Sequence, residues 1–338
     1  MLSPPGSPPK SADTAPSTAA PAPAPAGPSP AARPDRRGAR LVVLALLCTA
    51  PLVLHAHLPN RVGNLGSLVQ TLLPWAGLGV PVLLALSLGL RSRRGAAAAL
   101  LPAVVWAALF APELTDRSGA RGGTGTLTVL SHNVDEDNPE PVRTARALAA
   151  ADADLLALEE LPRDPSVYVR ELAAYPYHRV HGGVGLWSRH RLTDVAPVEI
   201  MPWTRAVRAT VHTPKGPVAV YAAHLASVRI SPFAGFTTGR RDEAGRLLAE
   251  AVRAEPLDRV VVLGDFNGTH RDRALAPLTS GLRSAQREAG DGFGFTWPAA
   301  FPVVRIDDVL VRGLAPQASW TLPATGSDHL PVAAALRP

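Results

Sequence analysis

The stretch Arg259-Val260-Val261-Val262-Leu263-Gly264-Asp265-Phe266-Asn267 organises the last two thirds of this sequence of 338 residues. Its apolar run has the length of a short strand and is rich in β-branched side chains, which pack well on a pleated surface. Residues 242–253, with helical spacing, precede it. The run ends in a carboxylate and an amide, Asp265 and Asn267. The strand therefore delivers reactive groups to its C-terminal end.

The same grammar repeats on either side. Residues 127–134 alternate as a strand, residues 141–151 place Val142, Ala145, Leu148 and Ala149 at helical spacing, and residues 154–158 read as a buried strand. Residues 207–212 and 218–224 flank Thr213-Pro214-Lys215-Gly216, a hairpin signal. Further strands are predicted over 303–311 and 330–336. Strands and helices in mixed order indicate an α/β domain with antiparallel pairing.

Six polar groups fall at the ends of these strands: Asn133 and Asp135, Glu159 and Glu160, His224, Asp265 and Asn267, Asp307 and Asp308, Asp328 and His329. Any one of them reads as readily as turn chemistry, since Asp and Asn commonly end strands. As a set they read differently. Carboxylate and amide oxygens suit a hard divalent cation such as Mg2+, and two histidines near carboxylates suit proton transfer and stabilisation of charge at phosphorus. Together they point to metal-assisted hydrolysis of a phosphate ester.

The charge balance narrows the partner. The chain carries 34 basic and 28 acidic residues. Residues 1–40 hold Lys10, Arg33, Arg36, Arg37 and Arg40 against Asp13 and Asp35, and residues 41–112 hold Arg61, Arg91, Arg93 and Arg94 with no acid. Removing these nine bases and two acids leaves residues 113–338 with 25 bases and 26 acids. A nucleic-acid-binding domain concentrates Lys and Arg on itself; this one is nearly neutral. The single cysteine, Cys48, lies in an apolar run, which excludes an intrachain disulfide and argues against thiol catalysis.

Residues 1–40, rich in Pro and Ala, predict a disordered tail. Residues 41–58, 65–90 and 95–112 are uncharged and apolar, each close to the roughly 20 residues that cross a bilayer as a helix. They predict three transmembrane helices over 41–112, in which Pro51, Pro74, Pro81 and Pro102 are tolerated. The Arg cluster before the first run and Arg91, Arg93 and Arg94 after the second outweigh the lone Arg61 between them. Positive-inside bias then puts the N-terminus in the cytoplasm and, after three crossings, the C-terminal domain outside the cell. Residues 113–125 read as a linker and 126–338 as the catalytic domain.

Taken in order, Ser131-His132-Asn133-Val134-Asp135, Asp154-Leu155-Leu156-Ala157-Leu158-Glu159-Glu160, Ala223-His224-Leu225, Gly264-Asp265-Phe266-Asn267, Arg305-Ile306-Asp307 and Gly326-Ser327-Asp328-His329-Leu330-Pro331-Val332 resemble the signature of the endonuclease/exonuclease/phosphatase superfamily. The resemblance covers residues 126–338 and implies a DNase I-like four-layer α/β sandwich. It further implies that Glu160 binds Mg2+, or alternatively Mn2+, with Asn133, Asp135 and Asp328 completing or bordering the metal site. By the same resemblance Asp265 orients or deprotonates the attacking water, Asn267 holds that water and the phosphate, His224 contacts a phosphate oxygen, and Asp307 partners His329. The sequence departs from the pattern at Glu159, where the family has Gln, at Asp308, where His or Tyr is common, and at Glu243, a usual Gln. The first departure leaves open which of Glu159 and Glu160 meets the metal. With its apolar anchor, the organisation also resembles actinobacterial teicoplanin-resistance proteins of the VanJ type.

A fold alone names no substrate. The near-neutral domain lacks the positive charge that gives nucleases most of their affinity for DNA, and anchorage raises the effective concentration of a substrate in the same membrane. The expectation is a phosphoesterase of the cell membrane acting on a lipid-linked phosphate or pyrophosphate. An anchored nuclease and a catalytically silent sensor are the alternatives.

Overall fold

The computed structural model describes residues 1–3, 6–7, 35–123 and 125–338. Most of the tail expected over residues 1–40, residues 4–5 and 8–34, lies outside the described residues. In chain order the strands are β1 (Leu127–Asn133), β2 (Leu155–Glu159), β3 (Tyr177–His181), β4 (Val184–Ser188), β5 (Leu192–Pro197), β6 (Ala206–Thr213) and β7 (Gly216–His224). They continue with β8 (Ile230–Ser231), β9 (Gly235–Phe236), β10 (Val260–Asp265), β11 (Arg283–Ser284), β12 (Asp307–Arg312), β13 (Ala315–Thr321) and β14 (Val332–Arg337). One six-stranded sheet runs β13-β14-β1-β2-β4-β3 and the other β11-β12-β10-β7-β6-β5, with β8 and β9 forming a small hairpin. Both large sheets are mixed: β1–β2 and β7–β10 are parallel, and the remaining neighbours antiparallel.

Side chains alternate across a strand, so the parity of each residue names the layer it enters. Val129, Ala157, Val220, Leu263, Val309 and Ala334 meet in the apolar layer between the two sheets. Their neighbours of opposite parity face outward. Leu130, Leu156 and Leu158 pack with Ala145 and Leu148 of α5 (Pro141–Ala150) and Tyr168 of α6 (Ser166–Glu171). Ala219, Tyr221, Val260 and Val262 pack with Ala244, Leu248 and Val252 of α7 (Gly239–Arg253). Three apolar layers thus separate helix, sheet, sheet and helix, the DNase I-like sandwich. The strand expected from residue 303 begins only at Asp307, because Val304 bridges to Trp297 instead. Strands β3, β4, β5 and β13 were not legible, their alternation being weak or their runs short.

Before the sandwich come α1 (Arg36–Leu54), α2 (Leu65–Leu72), α3 (Gly79–Gly89) and α4 (Arg93–Phe110). Three helical stretches, Arg36–His57, Leu65–Gly89 and Arg93–Phe110, are long and apolar enough to cross a membrane. The first starts earlier than its apolar run, since Arg36, Arg37 and Arg40 continue the helix. The second tightens into a 3-10 segment at Leu73–Leu78, where Pro74 removes a backbone donor. The segment expected as a linker is laid against the sandwich: Glu113 pairs with Arg271 at 2.6 Å, and Arg117 and Gly119 donate backbone N–H groups to Gly290 O and Gln317 O at 3.2 and 2.7 Å.

Candidate active site

Parity builds the site. In β1, β2, β7, β10 and β12 the last or first residue in phase with the inter-sheet layer is Asn133, Glu159, His224, Asp265 and Asp307. Five polar side chains therefore converge where the apolar packing stops, and all five are buried. Gly264 lets two of these strands close up, since a Cβ there would stand 1.8 Å from Ala223 O. That approach sets His224 beside Asp265 in the β7–β10 register.

Buried polar groups cost free energy unless paired, and Asn133, Asp265 and Asp307 are paired within the cluster. Asn133 Nδ2 donates to Asp265 Oδ2 at 3.1 Å, while Asn267 donates its backbone N–H to Oδ1 at 2.8 Å and its Nδ2 to Oδ2 at 3.1 Å. His329, on the loop before β14, sets Nδ1 at 3.1 and 3.0 Å from the two carboxylate oxygens of Asp307. Ser327 pins that loop: its Oγ accepts the His329 N–H at 3.0 Å and donates to Asn133 O at 2.7 Å. Contacts then run Glu160–His224 at 3.4 Å, His224–Asp265 at 3.6 Å and Asp265–His329 at 3.8 Å.

The charges divide into distinct states. Burial works against the His329 imidazolium, but Asp307, followed by Asp265 and Asp328, raises its pKa to about 10, so the ring is a cation at neutral pH. Burial and the Arg205 guanidinium push His224 well below the ordinary histidine range, leaving that ring neutral. Arg205 lies against both ring nitrogens of His224. Burial and Asp307 raise Asp265, and burial raises Glu160. Burial above all holds these carboxylates above their ordinary range, and a cation would stabilise their charged forms. This donor set, carboxylate and amide oxygens with an open edge at Glu160, fits a hard divalent ion. Asp265, Asp307 and His329 also form a buried group whose ligand atoms lie within 4.8 Å of one another, although His329 Nδ1 is already engaged by Asp307.

The two adjacent glutamates are separated by the end of β2. Glu159, in phase with the inter-sheet layer, is fully buried, accepts from Ser131 Oγ at 3.0 Å, and leaves Oε2 without a partner. Burial, then Asp307, raises its pKa well above the carboxylate range. Glu160 follows the strand with φ of 51°, a left-handed conformation that swings its side chain out to the cleft. Asp135 and Asn267, each just past a strand, share that conformation with φ of 60° and 47°. Such backbone is sparsely populated by side-chain-bearing residues and gathers at functional sites.

Of the residues singled out from sequence, Asn133, Glu160, His224, Asp265, Asn267, Asp307 and His329 come together in one contact chain. Asp135 and Asp328 stand at its margin. Asp135 Oδ1 accepts the Asp137 N–H at 3.0 Å, and Asp328, more than half exposed, accepts from Trp297 Nε1 at 2.9 Å and lies 3.8 Å from His329. Asp308, of opposite parity to Asp307, turns away to Ser284 and Arg305. Arg205, which none of the sequence motifs contains, joins the site beside His224. The hairpin held the signal: counting outward from the paired Thr213 and Gly216 brings Arg205 opposite His224.

The model of the Endonuclease/Exonuclease/phosphatase family matches residues 130–329. Among solved structures, a humanised TDP2 of D. rerio aligns with a TM-score of 0.54 at 19% identity, over 64% of this chain and 100% of that one. The mannosyl-6-phosphatase Bt3783 of Bacteroides thetaiotaomicron aligns at 0.51 and 17%, over 62% and 99%. A truncated TDP2 of Caenorhabditis elegans aligns at 0.50 and 18%, over 63% and 98%. At these identities the likeness is one of fold. No curated protein matches the chain. The family match takes in more than half of the sequence and every strand end that supplies the site, from β1 to the His329 loop; this chain belongs to the endonuclease/exonuclease/phosphatase family.

Proposed function

We propose that the protein is a membrane-embedded, divalent-cation-dependent phosphoric ester hydrolase whose substrate is a phosphate or pyrophosphate carried on a lipid. One observation supports this above the others: the loops beside the catalytic side chains pack directly onto the apolar helices. Ser67 of α2 donates to Asp272 Oδ1 at 2.9 Å, Trp75 Nε1 donates to Val303 O at 2.8 Å, and Arg271 donates to Leu109 O at 2.9 Å. Phe293 adds ring contacts to Trp106 and Phe110. A site held there meets substrate at the membrane surface.

In this reading Glu160, with Asn133 and Asp265 beside it, holds the Mg2+ or Mn2+ ion, and Asp135 and Asp328 border the site. The ion would supply charge neutralisation at the phosphoryl oxygens. Asp265, oriented by Asn133 and Asn267, positions the attacking water and takes its proton. The His329 imidazolium, fixed through Nδ1 by Asp307, presents Nε2–H to the phosphoryl oxygens as negative charge builds there. Neutral His224, backed by Arg205, donates to a further phosphate oxygen.

The proposal includes the domain division at residues 41–112 and 126–338 and the orientation. At 1.5 Å per residue α4 carries Arg93 about 25 Å from Phe110, so Arg91, Arg93 and Arg94 belong on the cytoplasmic face and the sandwich outside. Altered sensitivity to glycopeptides such as teicoplanin is the proposed cellular outcome. The test uses the full-length protein in detergent with Mg2+ and a panel of polyprenyl diphosphates, phospholipids and plasmid DNA, with hydrolysis of the prenyl compounds expected. Plasmid DNA as the best substrate would install an anchored nuclease instead, and silence toward every ester would install a sensor. A reporter in the 59–64 loop or after Pro338 is expected to read as external and one at residues 91–94 as cytoplasmic; the reverse would overturn the orientation.

A further inference from the structure

The catalytic cluster opens in two directions, and they differ in chemistry. One cleft, of about 330 Å3, holds Asp265, His329 and Glu160 and is walled by Leu68, Thr71 and Leu72 of α2 facing Ile230, Phe236 and Val303. The other, of about 660 Å3, also reaches Glu160, runs past His224, and is lined by Glu136, Arg163 and Arg205. An apolar branch and a charged branch therefore meet at the groups that would attack phosphorus.

The apolar wall comes from α2, the first part of the candidate membrane span Leu65–Gly89. Leu68, Thr71 and Leu72 follow i, i+3, i+4 spacing and share one helix face. Counted from Leu65, they sit about 5–10 Å along the axis, so the branch enters the span rather than the water. Two of its apolar side chains are free for a guest: Leu72 is 45% and Ile230 74% exposed. One turn before Thr71 on α2, Ser67 reaches Asp272, Asp272 pairs with Arg241 at 2.7 Å with both side chains fully buried, and Arg241 donates to Asn267 O at 3.3 Å. One hydrogen-bonded line thus sets the apolar wall in register with a residue of the cluster.

We infer that the α2 face Leu68/Thr71/Leu72 is the seat of the substrate's hydrocarbon chain, with the phosphorus at Asp265 and His329 and the polar remainder directed to Arg163 and Arg205. The inference rests on the hydrolase reading above and adds to it the polarity of binding and the part of the chain that selects a lipid.

The test compares hexadecyl and butyl diphosphates with full-length protein in nanodiscs. The ratio of their kcat/KM values is the readout. Leu68→Asn and Leu72→Asn are each expected to lower that ratio at least tenfold, while Leu88→Asn, at an exposed position of α3 away from the cleft, leaves it unchanged. An unchanged ratio in both cleft variants would overturn the seat. A second arm needs no turnover. In a Cys48→Ala background, the thiol of Leu68→Cys is labelled with a methanethiosulfonate in the presence of hexadecylphosphonate or butylphosphonate. Protection by the long chain alone supports the seat, and equal labelling overturns it. Absence of turnover with any ester, combined with long-chain protection, would remove the hydrolase reading and keep the lipid seat.

Discussion

Strand β10 and helix α1 are both apolar runs, yet they satisfy their side chains in opposite ways. Every residue of β10 is buried, with Leu263 at 0% exposure, whereas only 22% of the apolar window in the first candidate span is buried and Leu47 stands 63% exposed. The other two candidate spans are covered to 17 and 22%. In the sandwich the protein supplies the apolar surroundings; in the helices it leaves most of the apolar surface uncovered. Hydropathy reports that water is avoided and is silent about what replaces it.

The sharpest way to break that contrast is to shorten one leucine in each region. Leu263→Ala leaves a hole between the sheets and is expected to cost about 2–5 kcal/mol, while Leu47→Ala is expected to stay within about 0.5 kcal/mol. Unfolding midpoints of the full chain in detergent measure both, and equal losses would mean that α1 is packed by protein after all. Next in size is the effect on the proposed chemistry of the sandwich. Asp265→Ala and His329→Ala are each expected to lower turnover at least about a hundredfold with the unfolding midpoint retained; near-normal turnover would move the reaction elsewhere.

Glu160→Ala is expected to raise the Mg2+ concentration for half-maximal rate by about tenfold or more. Glu159→Gln, which restores an amide to the buried position, should leave it unchanged. A reversed outcome would put the metal at Glu159 and contradict the parity of β2. The smallest effect tests the seam between the two regions: Ser67→Ala removes the hydrogen bond to Asp272, which keeps the Ala274 N–H at 3.0 Å, and the one accepted from Asn60 Nδ2 at 3.0 Å, and is expected to cost about 1 kcal/mol in stability. No measurable change would mean that the helices merely lean on the sandwich.

Much of this architecture is written locally. The apolar runs of β1, β2, β7 and β10 and the polar residues that end them could be read one strand at a time, because period-two alternation is a local signal. Parity could have been read too. It places Glu159 inside and Glu160 beyond the strand without any coordinates. The partly exposed β3, with Arg179 among its five residues, and the short hairpin β8–β9 carry no such signal. The docking of α2 was the least legible. Leu68 and Leu72 look like any other span residues, and their place beside Asp265 depends on contacts such as Ser67–Asp272 that join positions 205 residues apart. The same contacts turn an expected tether into a wall.

The left-handed backbone at Glu160 carries a consequence for how this protein can be improved. Its φ of 51° suits Asn or Gly better than Glu. A library selected only for heat resistance should therefore drift toward Asn or Gly at this position, gaining a few tenths to about 1 kcal/mol, while its Mg2+ requirement climbs as in Glu160→Ala. Thermostability and turnover are opposed at a single residue, and selection for one without the other would erase the evidence of what the site was for.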